Sequence, residues 1–200
     1  MNATAIDSPH IIALSGGIGA GKSTVAKILR VLGYPVYDCD SRAKALMDNN
    51  RAIIDEIALS IASDVVAADG SLIRPALAER VFGDSEALNR LNEIVHRHVL
   101  EDIKLWRASV DSKIAFIETA ILYQSNIDKL VKAVWEVKAP VDVRVSRVIG
   151  RSGLSADQIL KRINSQDSFV PELLHPLTVE IVNDSVKPLL PQVLDALSRI

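Results

Sequence analysis

The residues whose types and spacing point most directly to chemistry are Gly16-Gly17-Ile18-Gly19-Ala20-Gly21-Lys22-Ser23. They fit G-x-x-x-x-G-K-[ST], the P-loop pattern. Its glycines let backbone N–H groups close around phosphate oxygens, its lysine reaches the β- and γ-phosphates, and its hydroxyl holds Mg2+. Gly17, Ile18, Gly19, Ala20, Gly21, Lys22, Ser23 and Thr24 are therefore the candidate ATP-binding residues, with Ser23 as candidate Mg2+ ligand. Four specified positions coincide by chance in roughly one 200-residue chain in a hundred or fewer.

Phosphoryl transfer asks a protein for charge neutralisation, in-line positioning and a group to take the acceptor's proton. Asp38 and Asp40, after the β-prone Val36-Tyr37, are candidates for the last task. An ionised carboxylate beside a hydroxyl can receive its proton as the new bond forms. Strand-end Asp residues also cap helices, and Asp40 before Ser41-Arg42-Ala43-Lys44 fits that role too. Glu118 closes a later strand, where an acid can hold Mg2+ through water or simply face solvent. Arg144, Arg147 and Arg151 are i,i+3 and i,i+4 neighbours, so one helical face could offer guanidinium groups to ATP phosphates or form a solvated basic face. Lys161 and Arg162 extend that basic character. His96 and His98 alternate on a helical pattern and make no metal pair. Trp106, Trp135 and the tyrosines are too scattered for a base-stacking platform.

These groups need a scaffold, and the chain supplies one in order. Ile11–Ser15 reads as a strand, Thr24–Leu32 as a helix closed by Gly33, and Tyr34–Tyr37 as a short strand. From Ser41 to about Ser112 β-prone runs nearly vanish and apolar residues recur at helical spacing, predicting a helical insertion. Asp69-Gly70 marks a turn inside it, a small hairpin or a simple loop. Lys113–Glu118 and Ala133–Val137 read as strands, each followed by a helix-compatible segment. Ser155 and Gln158 form a capping box for a helix to about Gln166, Thr178–Val182 is the last strand, and Pro188–Ile200 a closing helix. Five strands separated by helices predict an α/β fold of three layers with a mainly parallel sheet, because parallel connections need crossovers. The acids after the strands then fall at the carboxyl edge, beside the phosphate loop.

Composition fits one soluble globular domain, 48% apolar and 24% charged, and the net charge of −2 gives no basic footprint for nucleic acid. Cys39 is the only cysteine, which excludes an intrachain disulfide and a Cys-rich zinc site and suits a reducing compartment, the cytoplasm. The first nine residues lack the basic and apolar regions of a signal peptide, and no run reaches membrane-spanning length. A guanine-nucleotide switch is disfavoured, since N-K-x-D is absent and no D-x-x-G follows the third strand. A small-molecule kinase of the nucleoside or nucleotide type fits a P-loop with an insertion and an arginine-rich lid.

The loop together with Val36-Tyr37-Asp38-Cys39-Asp40 resembles the opening of the dephospho-CoA kinases, which show GGIGSGKST and then V-I-D-x-D. Later pieces match in order. Arg74-Pro75-Ala76-Leu77 with Val81-Phe82, and Leu91 to His96, resemble the family's insertion. Glu118 to Gln124 resembles its D-x-P-L-L-F-E piece, Arg147, Arg151–Ser155 and Arg162–Gln166 its lid, and Val182-Asn183-Asp184 its late segment near adenine. The resemblance implies a P-loop NTPase fold in a single domain, with an acceptor-binding insertion at about 41–112 and a lid at about 147–170. It implies transfer of the ATP γ-phosphate to the ribose 3′-hydroxyl of dephospho-CoA. Asp40 becomes the base and Asp38 its support, Lys22 remains catalytic, Arg147, Arg151 and Asn183 join the ATP site, and Arg74 and His96 fall on the acceptor side. The implied partners are the two small-molecule substrates, with no nucleic acid or membrane, in a monomer or weak homo-oligomer. Arg97, Ala120 and Gln124 depart from the family's usual residues and concern acceptor contacts more than the phosphate loop.

Overall fold

The computed structural model describes residues 9–200, apart from the Asp167 side chain; the signal-peptide reading of the N-terminus rests mainly on residues outside that range. The chain divides into two units, Met1–Asp38 with Val110–Ile200, and Cys39–Ser109.

The first unit is α/β. Strands β1 (His10–Ser15), β2 (Val36–Asp38), β3 (Ile114–Glu118), β4 (Ala133–Lys138) and β5 (Thr178–Val182) pair in the order β2-β3-β1-β4-β5. Every pairing is parallel. Helices α1 (Lys22–Val31), α6 (Val141–Ser152), α7 (Ala156–Asp167) and α8 (Leu189–Leu197) complete it. Consecutive residues Ile11 to Leu14 are all buried, as are Ala115 to Ile117, so these strands are apolar on both faces rather than alternating. Trp135 and Phe116, ring centroids 5.0 Å apart, sit in the core with Ile12, Leu14, Val25, Leu29 and Val193.

Local signals explain the element ends. Gly33 at φ +90 ends α1, its N–H bonding the Arg30 carbonyl while Tyr34 N–H reaches Leu29. The Ser155 hydroxyl accepts from Gln158 N–H at 3.3 Å and Gln158 Oε1 accepts from Ser155 N–H at 3.0 Å, closing the capping box of α7.

One expectation fails. The segment after β3 forms no α-helix but a run of turns and a 3₁₀ stretch at Ile127–Leu130. Ser125 Oγ donates back to the Ile121 carbonyl at 2.7 Å and Asn126 takes a left-handed φ of 57, which stops helical propagation.

The second unit is helical: α2 (Cys39–Asn49), α3 (Arg51–Ser60), α4 (Arg74–Val81) and the 25-residue α5 (Ser85–Ser109). Ile53, Ile54, Ile57, Val65, Leu77 and Ile94 form its core. The turn at Asp69-Gly70 closes no true hairpin, only a single antiparallel bridge between Val66 and Leu72. Among the described residues no helix is long and apolar enough to cross a membrane.

Candidate active site

The sheet order reverses at β1: the chain leaves it for β2 on one side, returns through β3, and goes to β4 on the other. In open α/β sheets the ligand crevice opens at such a switch point, at the carboxyl ends of the strands. The loop after β1, residues 16–21, lies there.

Its shape depends on glycine where the backbone is left-handed and crowded. At Gly19, φ +79, a Cβ would stand 2.6 Å from the Arg144 carbonyl oxygen, a backbone atom that cannot step aside. Gly21, φ +100, starts α1 with no side-chain cap and no acid in the first turn. That helix end keeps its partial positive charge for an incoming anion. Lys22 Nζ donates to the Gly16 carbonyl at 2.8 Å, folding the ammonium back over the loop. Ser23 and Thr24 are exposed at the start of α1.

Side chains from far along the chain buttress the loop. Arg144 Nε donates to the Ile18 carbonyl at 2.9 Å. Arg147 reaches the Gly19 and Ala20 carbonyls, each at 3.4 Å, and spreads its other nitrogen between Asn183 Oδ1 at 3.2 Å and Ser185 Oγ at 2.9 Å. Asn183 Nδ2 donates to the Ala20 carbonyl at 2.8 Å. From α7, Gln166 Oε1 accepts the Ile18 N–H at 2.8 Å. Arg151 lies one turn beyond Arg147 on α6 and is exposed.

Acids gather at the same sheet edge. Asp38 on β2 is in register with Glu118 on β3, and Ser15 on β1 with Glu136 on β4. Glu118 is nearly buried. Burial pushes the Glu136 carboxyl above its ordinary range, against the hydrogen bond from Ser15 and the positive charges of Lys138, Lys22 and Arg144. A cleft opens here, lined by Gly16, Gly17, Glu136 and Gln166 together with the apolar Ile121, Phe169 and Leu174.

Asp40, Arg74 and His96 belong to the helical unit. Asp40 is exposed in the first turn of α2; because that helix begins at Cys39, Asp40 is not its N-cap. Arg74 is tied to Asp48 at 2.7 Å and to the Lys44 carbonyl at 3.2 Å. Burial lowers the pKa of His96. His98 Nε2 lies 3.1 Å from Glu56, which also pairs with Arg97.

The structure thus brings Gly17 to Thr24 together with Arg144, Arg147 and Asn183, all named from the sequence, and adds Glu136 and Gln166. Arg144 carried a signal in its helical spacing from Arg147, and Glu136 in being a lone acid within an apolar strand. Gln166 carried none of its own.

A parallel sheet with a glycine loop between its switch-point strand and a following uncapped helix defines a P-loop nucleotide-binding fold, and comparison with known proteins makes it a kinase. The dephospho-CoA kinase family model matches residues 10–186. The chain is 40% identical over 156 residues to the dephospho-CoA kinase of Porphyromonas gingivalis, spanning 78% of this chain and 77% of that protein. It is 35% identical over 188 residues to that of Bacteroides fragilis, spanning 94% and 91% respectively. A crystal structure from Thermus thermophilus superposes with a TM-score of 0.76 at 30% identity, covering 96% of each chain. The chain belongs to the dephospho-CoA kinase family.

Proposed function

We propose that this protein transfers the γ-phosphoryl group of ATP to the ribose 3′-hydroxyl of dephospho-CoA, giving coenzyme A and ADP. The observation that carries the reading is the uncapped start of α1, with Lys22 folded over the loop, in a chain matching the family over residues 10–186. In the reaction the 3′-oxygen attacks the γ-phosphorus, the bond to the bridging β–γ oxygen breaks, and ADP departs. Asp40 takes the hydroxyl proton, with Asp38 at the end of β2 as support. Lys22 and the amides of residues 19–24 neutralise charge on the phosphates as it shifts towards the leaving group.

Mg2+ keeps most of its waters and takes few protein ligands beside substrate phosphates. The exposed Ser23 hydroxyl and the Glu118 carboxylate, acting through water, suit that donor set. The ion would supply further neutralisation of the triphosphate. On this reading Arg147 and Asn183, which reach the loop carbonyls, serve ATP together with Arg151 of the lid at about 147–170, and Arg74 and His96 of the helical insertion serve the acceptor. A lone, buried Cys39 suits the reducing cytoplasm.

The test is an ADP-release assay with Mg-ATP and a panel of acceptors including dephospho-CoA, nucleosides and nucleotides. Coenzyme A formation with a strong preference for dephospho-CoA supports the reading. Turnover of another acceptor in its place overturns it.

A further inference from the structure

Ile18 is held at three points. Its side chain packs against Val148, Ile159 and Ile163, the apolar seam between α6 and α7. Its carbonyl accepts from Arg144 on α6, and its N–H donates to Gln166 Oε1 on α7, 148 residues away in sequence. Ala20 N–H meanwhile bonds the Gly17 carbonyl at 3.1 Å, so Ile18 and Gly19 are the middle residues of a tight turn.

A turn set among glycines resists rotation of its peptide planes poorly, because glycine has the most conformational freedom to lose on ordering. Rotating the Gly17–Ile18 peptide would re-aim the amides that a phosphate needs. An acceptor fixed on the Ile18 N–H opposes that rotation, and it satisfies this amide so that the anion meets the amides after it. Because Ile18 N–H is a donor, it also fixes which end of the Gln166 amide faces the loop.

Resting on the kinase reading above, we propose that Gln166 is a positioning residue for the nucleotide. It pre-orders the phosphate loop through Ile18 and thereby links nucleotide affinity to the seating of α7 on α6. Order present before binding is entropy the ligand need not remove, so the gain falls on the donor substrate. Gln166 also lines the cleft beside Gly16 and Gly17, which makes a direct role towards the acceptor the rival to exclude.

Gln166→Met keeps the length and flexibility of the side chain and removes the strong acceptor. In the full-length protein, Kd for Mg-ATP by calorimetry and KM for ATP should rise about five- to tenfold, the worth of one hydrogen bond with the order it imposes. KM for the acceptor should stay at the wild-type value, and the thermal midpoint should fall by no more than about 2–4 °C, the loss of one hydrogen bond. Gln166→Ala should show the same split, which covers failure of the first variant to fold. Amide exchange at Ile18 should be slow in the wild type and in Gln166→Glu, which retains an acceptor, and faster in Gln166→Met. Unchanged ATP affinity, a rise in acceptor KM alone, or a larger fall in midpoint with both KM values rising together would overturn the proposal. The calorimetric and exchange measurements need no acceptor, so they decide Gln166 even if coenzyme A formation fails.

Discussion

Asn183 Nδ2 lies 2.0 Å from where a Cβ on Gly21 would stand, while donating to the carbonyl of neighbouring Ala20 at 2.8 Å. The residue after β5 is thereby fitted against the start of α1, and a side chain at Gly21 would have to push the Asn183 amide off the Ala20 carbonyl. Gly21→Ala meets both this contact and a φ of +100, where an L-residue is disfavoured by about 1–2 kcal/mol. Thermal unfolding should show the loss and calorimetry a failure to bind Mg-ATP. Wild-type binding would mean that the loop shifts at no cost.

Lys22 tests the loop's chemistry rather than its shape. Its ammonium meets the Gly16 carbonyl, and on our reading it serves the transferring phosphoryl. Lys22→Ala should lower kcat by roughly a hundred- to a thousandfold, as for loss of one preorganised transition-state donor. Its thermal midpoint should stay near wild type. Steady-state kinetics with near-normal turnover would remove Lys22 from the mechanism.

Asp40→Asn keeps the shape and removes the base. The expected result is a kcat lower by about a hundredfold or more with Kd for Mg-ATP unchanged, the pattern of an interaction needed in the transition state. If calorimetry shows ATP binding weakened in proportion, the carboxylate serves the metal or the fold and not proton transfer.

Glu136 gives a prediction with a definite sign. Its carboxyl is held above the ordinary range, burial being the largest cause, so the folded protein binds that proton more tightly than the unfolded chain. The group's contribution to stability is therefore fully present below the ordinary Glu range and is lost as pH rises through the raised pKa. Glu136→Gln removes the ionisation. It should melt above wild type at pH 7, with the gap closing as pH is lowered to about 4. Melting curves that coincide at both pH values would show that burial of this carboxylate costs nothing.

Much of the fold is written locally. The glycine and lysine spacing of residues 16–23, Gly33 past the end of α1, the Ser155–Gln158 box and the apolar runs of the five strands each act within a few residues. A positive φ, a capped amide or an apolar periodicity needs no distant partner, so these features can be read before any fold is known. The segment after β3 misled because its apolar spacing suits a helix, while Ser125 and Asn126 satisfy the backbone by a different turn.

Other features exist only once the chain has folded. The strand order β2-β3-β1-β4-β5 depends on how crossovers pack, and it alone aligns Asp38 with Glu118 and Ser15 with Glu136. Glu136 is an ordinary glutamate until burial raises its pKa. Arg144, Arg147, Gln166 and Asn183 reach the loop from more than a hundred residues away. The sequence by itself determined a loop able to receive phosphate. Tertiary structure decided how firmly that loop is held, because its polar groups are satisfied by side chains that only packing brings near.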